Sequence, residues 1–152
     1  MKYITLMLVV LIFGCSEERM NKSFSTHLMF QGDADSALGL YSKVFPEAEI
    51  QVEQRFGEDD PDKSGRVELA RMNLGDQTFI VFDSPPVHNF TFTPAMSIFV
   101  TVHDAGEFES IFQQLSEGGE IAMPPDNYGF SDRFAWFQDK FQVSWQISLE
   151  LK

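Results

Sequence analysis

The sequence has 152 residues, a formal net charge of −12 and one cysteine, Cys15. Such an acidic chain argues against nucleic-acid binding, which requires a basic face, and against long-range capture of anionic substrates. A single cysteine excludes an intramolecular disulfide and a thiolate metal cluster. The 16 phenylalanines predict an unusually aromatic core.

The first segment, residues 1–14, has the order of residues found in an export signal. Lys2 gives a positive start, residues 3–13 are uncharged and mostly apolar, and Gly14 stands directly before Cys15. This run is too short to cross a bilayer as a helix, but it fits the apolar region of a signal peptide. A buried N-terminal helix or strand is the alternative.

The same segment resembles a bacterial lipoprotein signal, which implies cleavage before Cys15 and lipid attached to its sulfur. Lipid would anchor the protein in the bacterial cell envelope, and Ser16 resembles a residue that sorts lipoproteins to the outer membrane, facing the periplasm. Residues 15–23 are predicted to be a tether, and residues 24–152 a single domain.

The first half of the domain, residues 24–83, predicts the order βαβββ. A strand at 27–31 precedes a helix at 34–45, for which Asp33 is the expected N-cap and Pro46 the stop. Strands follow at 48–56, 66–74 and 77–83, the last two joined by a hairpin at Gly75-Asp76.

After a linker at 84–94, the second half, residues 95–151, predicts the same order. A strand at 97–102 leads to a helix that starts with the capping box Asp104 and Glu107 and ends at Gly118-Gly119. Strands are predicted at 119–123, 133–138 and 142–150. An offset of 70 residues aligns His27 with Ser97.

Two βαβββ modules predict an α+β fold in which two mixed sheets form a curved cup. One helix covers one face of each sheet, so the other faces are expected to line the cup together. A ligand pocket is expected between the modules. Residues 124–129 are a candidate flap over it.

Five segments then resemble the vicinal oxygen chelate superfamily, which includes glyoxalases, bleomycin-resistance proteins and extradiol dioxygenases. They are residues 27–30 (HLMF), 92–100 (FTPAMSIFV), 115–119 (LSEGG), 128–136 (YGFSDRFAW) and 139–146 (DKFQVSWQ). The branch most similar is the PhnB-like, demethylubiquinone methyltransferase-like one, over residues 24–151. Gln142 replaces a glycine of that branch, so we expect the hairpin there to be reshaped.

The resemblance implies a site between the modules. Metal-dependent members take ligands from the first and last strand of each module, positions that here hold His27, Ser97 and Gln146, while residues 78–82 offer no acid or histidine. His27 is thus a weak metal candidate, and we expect neither a complete metal site nor a cofactor. The pocket candidates are His27, Ser97, Tyr128, Phe134, Trp136 and Gln146.

Three functions remain open at this point, and no catalytic residue can be named. The domain could bind a small apolar or aromatic ligand, act as a metal-dependent glyoxalase-like or dioxygenase-like enzyme, or serve as a dimeric interaction module. Methyl transfer is disfavoured because the chain lacks the glycine-rich turn and alternating βαβα order usual for that chemistry.

Overall fold

The computed structural model describes residues 22–151, which form two four-stranded mixed sheets with one helix each. The predicted signal, Cys15 and most of the tether lie outside the described residues. Within residues 22–151, no helix has the length and apolarity needed to cross a membrane. The α+β fold of two βαβββ modules is confirmed.

The first module carries its strands in the order β1-β4-β3-β2, with β1 parallel to β4 and the other pairs antiparallel. Its elements are β1 (Thr26–Phe30), α1 (Ala34–Val44), β2 (Glu49–Arg55), β3 (Val67–Leu74) and β4 (Gln77–Asp83). Apolar residues on one side of α1 are buried, as the sequence spacing predicted.

The second module repeats this topology in the order β5-β8-β7-β6. Its elements are β5 (Ile98–Val102), α2 (Ala105–Ser116), β6 (Glu120–Asp126), β7 (Arg133–Gln138) and β8 (Ser144–Leu149). Strand β6 runs further than predicted, through Pro124 and Pro125. These prolines are tolerated because β6 is an edge strand with irregular pairing to β7. The expected flap at 124–129 therefore begins inside a strand.

The offset between the modules is 72 residues at the first strands, not 70, because β1 begins at Thr26 and β5 at Ile98. In the parallel ladders His27 pairs with Ile80, and Phe99 pairs with Gln146. His27 thus corresponds to Phe99, and its alignment with Ser97 was wrong. A shift of two residues keeps a side chain on the same face of a strand. The alternation of apolar and polar residues in the sequence is therefore the same for both alignments and could not reveal the error.

The helix starts also differ from one module to the other. Asp104 caps α2 as predicted, since its carboxylate accepts a hydrogen bond from the backbone N–H of Glu107. The side chain of Asp33 makes no capping hydrogen bond. Instead the buried carboxylate of Asp83, at the end of β4, accepts from the N–H of Gly32 just before α1. Burial raises the pKa of Asp83, an effect opposed by this hydrogen bond and by the nearby Arg66 guanidinium.

Each sheet has a helix-side face, packed on the helices, and an open face. The helix-side residues of both modules join in one hydrophobic cluster. Trp145 on β8 shows how the modules meet, because its ring lies 5.3 Å from that of Tyr41 and 5.7 Å from that of Phe45, both from the first module. The modules therefore share a core and do not fold around separate ones.

A buried carboxylate, Asp139, fixes this junction. Its Oδ2 accepts hydrogen bonds from the Tyr41 hydroxyl at 2.7 Å and the Trp145 Nε1 at 2.9 Å. Its Oδ1 accepts from the backbone N–H groups of Phe141 and Val143. Burial raises the pKa of Asp139, and the four donors limit that rise. One side chain thus joins helix α1 to the β7–β8 hairpin.

In the same hairpin Gln142 adopts a φ of 70°, a conformation that suits glycine. The turn is therefore not reshaped, and the expectation that it would be was wrong. Left-handed backbone costs an L-residue roughly 1 kcal/mol. We expect Gln142→Gly to raise the free energy of unfolding by about 1 kcal/mol in urea denaturation, whereas Gln142→Ala, which keeps the strained φ, should change it by less than about 0.5 kcal/mol. Equal effects of the two variants would contradict this explanation.

Candidate functional site

The open face of the second sheet carries a hydrogen-bonded polar group. Ser144 is at its centre: its hydroxyl lies 2.7 Å from that of Ser97 and accepts a hydrogen bond from the Trp136 Nε1 at 2.9 Å. The Gln146 amide donates to Ser97 at 3.2 Å. Strands β7 and β8 bring these side chains together because residues 136, 144 and 146 point to the same side of the sheet. The structure thus joins three of the predicted residues: Ser97, Trp136 and Gln146.

Beside this group is an aromatic cluster that contains Tyr128 and Phe134, two further predicted residues. Phe134 is buried beneath Phe99, Tyr128 and Phe130, with ring centroids 5.0 to 6.4 Å away. The Tyr128 hydroxyl donates to the carbonyl of Pro124, which holds the loop after β6 against the sheet. Phe99 and Phe130 remain 57% and 65% exposed. The loop thus contributes aromatic surface to the open face.

His27 lies apart from both groups, on the open face of the first sheet. It is exposed, and its ring stacks on Phe82 with centroids 6.1 Å apart.

A cavity of about 700 Å³ separates the facing edge strands β1 and β5. All of β5 and the first half of β1 line it, together with linker residues 91–93. Its aromatic surface comes from both modules: Phe45, Phe79, Phe92 and Phe99. Its size is within the usual range for small-molecule sites, roughly 300 to 1,000 Å³.

The cavity brings together only part of the predicted set. His27 and Ser97 line it, whereas Tyr128, Phe134, Trp136 and Gln146 are not among its lining residues. Sequence reasoning missed Ser144, which lines the cavity and connects it to Trp136. Its position two residues before Gln146 on the same strand was an available signal. The roles of Phe45 and Phe92 could not be read from strand patterns, since both lie outside the strands.

A metal ion of the superfamily type does not fit these residues. The four paired positions on the first and last strands hold His27, Ile80, Phe99 and Gln146, which provide one imidazole and one neutral amide. A catalytic divalent ion normally needs three protein ligands. Among residues 22–151, no group of three histidine, cysteine, aspartate or glutamate side chains is placed to hold a metal ion.

Comparison with known proteins gives one family match. The family model described as 3-demethylubiquinone-9 3-methyltransferase matches residues 22–148. A PhnB protein from Bacillus cereus, whose description carries the same methyltransferase label, is 42% identical. It is matched over 84% of this chain and 99% of its own, with a TM-score of 0.77.

Two further structures are similar at lower identity. A protein from Pseudomonas aeruginosa is 25% identical over 86% of this chain and 99% of its own, with a TM-score of 0.73. The fosfomycin resistance protein FosX from Listeria monocytogenes, complexed with Mn(II) and sulfate, is 11% identical. It is matched over 86% of this chain and 91% of its own, with a TM-score of 0.57, a likeness of fold alone. No protein with a curated description matches the chain significantly.

Proposed function

The chain belongs to the family described as 3-demethylubiquinone-9 3-methyltransferase, the PhnB-like branch of the vicinal oxygen chelate superfamily, and we propose that it binds a small, mostly apolar molecule between its modules. The cavity between β1 and β5 carries this proposal, because it combines a volume of about 700 Å³ with aromatic walls and a few hydroxyl groups. The ligand set for a metal ion is depleted, so no metal-dependent step is assigned to the site.

Methyl transfer is not part of the proposal, although the family description names it. Cofactor-dependent methyl transfer usually relies on a doubly wound parallel sheet whose glycine-rich turn receives the cofactor. This chain has two separate mixed sheets, each with a single parallel strand pair. The description therefore identifies relatives and does not supply a mechanism.

Binding of the neutral apolar dye Nile red tests the cavity directly. We expect saturable, one-to-one binding with a dissociation constant on the order of micromolar, detected by a blue shift and increase of dye fluorescence. Val100 lines the cavity, so the larger side chain of Val100→Trp would occupy part of its volume. This variant should weaken dye binding at least about tenfold.

The control is Val52→Trp, the same substitution on the exposed strand β2, away from the cavity. It should bind the dye like the parent protein. Circular dichroism and thermal unfolding establish that both variants are folded. Dye binding that is unsaturable, or that both variants retain equally, would refute the assignment of the cavity as a ligand site.

We further propose that the domain works in the bacterial envelope, anchored by lipid on Cys15. The support is the order of residues in segment 1–21, which precedes the family match beginning at residue 22. Metabolic labelling with a tagged fatty acid should mark the protein, and Cys15→Ser should abolish both the label and fractionation with membranes. A Cys15→Ser protein that stays with membranes would end this part of the proposal.

Self-association is a second candidate property, favoured by the exposed side chains of Phe99 and Phe130, which both pack on Phe134. Apolar groups exposed together commonly mark interaction surfaces, and identical chains most often pair with two-fold symmetry. Sedimentation equilibrium of residues 22–152 is the test. A dimer that Phe130→Asp dissociates would support the homodimer, and a monomer at all concentrations would eliminate it.

A further inference from the structure

The cavity lining contains acidic side chains but no lysine or arginine of the described residues. Its formally charged side chains are the carboxylates of Glu47 and Glu107. Glu47 follows α1 and Glu107 belongs to the first turn of α2, so each module contributes one. Both are solvent-exposed, which places them at the mouth of the cavity and not in its wall.

From this distribution we infer that the cavity selects an organic cation with an apolar body and rejects the corresponding anion. The inference deepens the proposed function and rests on it. Among apolar molecules of similar shape, the site would prefer those with a positive charge.

The case against an anion rests on desolvation. An anion that leaves water must be compensated by cations or by several well-placed hydrogen-bond donors, and otherwise loses several kcal/mol. The cavity offers it no lysine or arginine, only neutral hydroxyl groups, Gln77 and His27 as side-chain donors, and the carboxylates of Glu47 and Glu107 would repel it. A neutral molecule avoids both costs.

The case for a cation rests on what the lining can accept. Phe79, Phe92 and Phe99 are among the lining residues, and a cation over the face of an aromatic ring gains roughly 0.5 to 1 kcal/mol at an exposed site. The hydroxyl oxygens of Thr91, Thr93 and Thr101 can accept hydrogen bonds from an ammonium group.

A matched series of ligands tests the inference. Phenylbutylamine, phenylbutanol and phenylbutanoate share one apolar body and differ in the charge of the head group. Their affinities are measured by calorimetry near neutral pH and at about 0.15 M salt, which screens the long-range field of the acidic protein. We expect the amine to bind about fivefold more tightly than the alcohol, and the acid at least tenfold more weakly than the alcohol, from the modest energies of exposed ion pairs and the larger cost of an unpaired anion.

Two double variants distinguish the effect of the two cavity carboxylates from the effect of the protein's net charge. In Glu47→Gln/Glu107→Gln the amine should lose most of its advantage over the alcohol, because the carboxylates are gone while the rings and hydroxyl groups of the lining remain. Glu58→Gln/Asp59→Asn changes the net charge equally in a loop outside the cavity lining and should leave the advantage intact. Loss of the preference in both variants would overturn the inference.

The outcomes distinguish this inference from the proposed function. If the alcohol binds but the amine is no better than the acid, the charge preference is wrong and the ligand site stands. If none of the three compounds binds and Nile red also fails, the ligand site itself is wrong, and the inference falls with it.

Discussion

Replacing Asp139 with alanine is expected to lower the free energy of unfolding by about 3 to 5 kcal/mol, a large part of the total stability of a domain of this size. The carboxylate is 2% exposed and accepts hydrogen bonds from four donors. Its removal leaves the Tyr41 hydroxyl and the Trp145 indole without their partner inside the core. Urea denaturation, followed by near-ultraviolet circular dichroism, measures the loss.

Two milder variants keep the prediction testable if Asp139→Ala does not fold. Asp139→Asn retains the size but places an NH₂ donor where an acceptor is needed; the Tyr41 hydroxyl can turn to accept it, whereas the Trp145 indole cannot. We expect a loss of about 2 kcal/mol for this variant and about 1 kcal/mol for Tyr41→Phe. The control is Asp132→Ala, an exposed aspartate that accepts from the N–H of Leu151, which should cost less than about 1 kcal/mol. Equal losses at Asp132 and Asp139 would contradict the role given to the buried carboxylate.

Gly119→Ala is expected to destabilise the second module by about 3 kcal/mol, because a β-carbon has no room there. It would lie 1.9 Å from the carbonyl oxygen of Gln138 and 2.9 Å from the backbone carbonyl carbon of Asp139. These are backbone atoms of the β7–β8 hairpin and cannot move aside as a flexible side chain would. Thermal unfolding should show the loss of stability. The hairpin also holds Asp139, which accepts a hydrogen bond from the Trp145 indole, so the near-ultraviolet circular dichroism of Trp145 should change as well.

Gly39→Ala is the matched control. Gly39 lies on the exposed side of α1, and a β-carbon there meets no atom within 4 Å. The variant should therefore be more stable than the parent by roughly 1 kcal/mol, since alanine has the higher helix propensity. Opposite signs for the same substitution would identify close backbone approach as the cause at Gly119. Destabilisation at both positions would remove that explanation.

The two modules and most of their elements could be predicted from local patterns in the sequence. Spacings of three and four residues located α1 and α2, and alternation located the strands, because these periods reflect which side chains face the core within a single element. The N-cap at Asp104 was likewise readable, since its hydrogen bond to the N–H of Glu107 lies within one helix turn. The prediction of strand β6 was less accurate, because Pro124 and Pro125 indicated the end of a strand that in fact continues along the sheet edge.

Features that join distant parts of the chain could be seen only in the folded structure. Asp83, at the end of β4, accepts a hydrogen bond from the N–H of Gly32 just before α1, and Asp139 accepts one from Tyr41, 98 residues away. The cavity likewise lies between edge strands of different modules, so its lining of Phe45, Phe92 and Ser144 follows from how the modules pack. Local periodicity specifies which face of an element is buried, but it carries no information on which other element covers that face. The cavity lining, which includes His27 and Ser97 but not Gln146, could therefore be identified only from the packed structure.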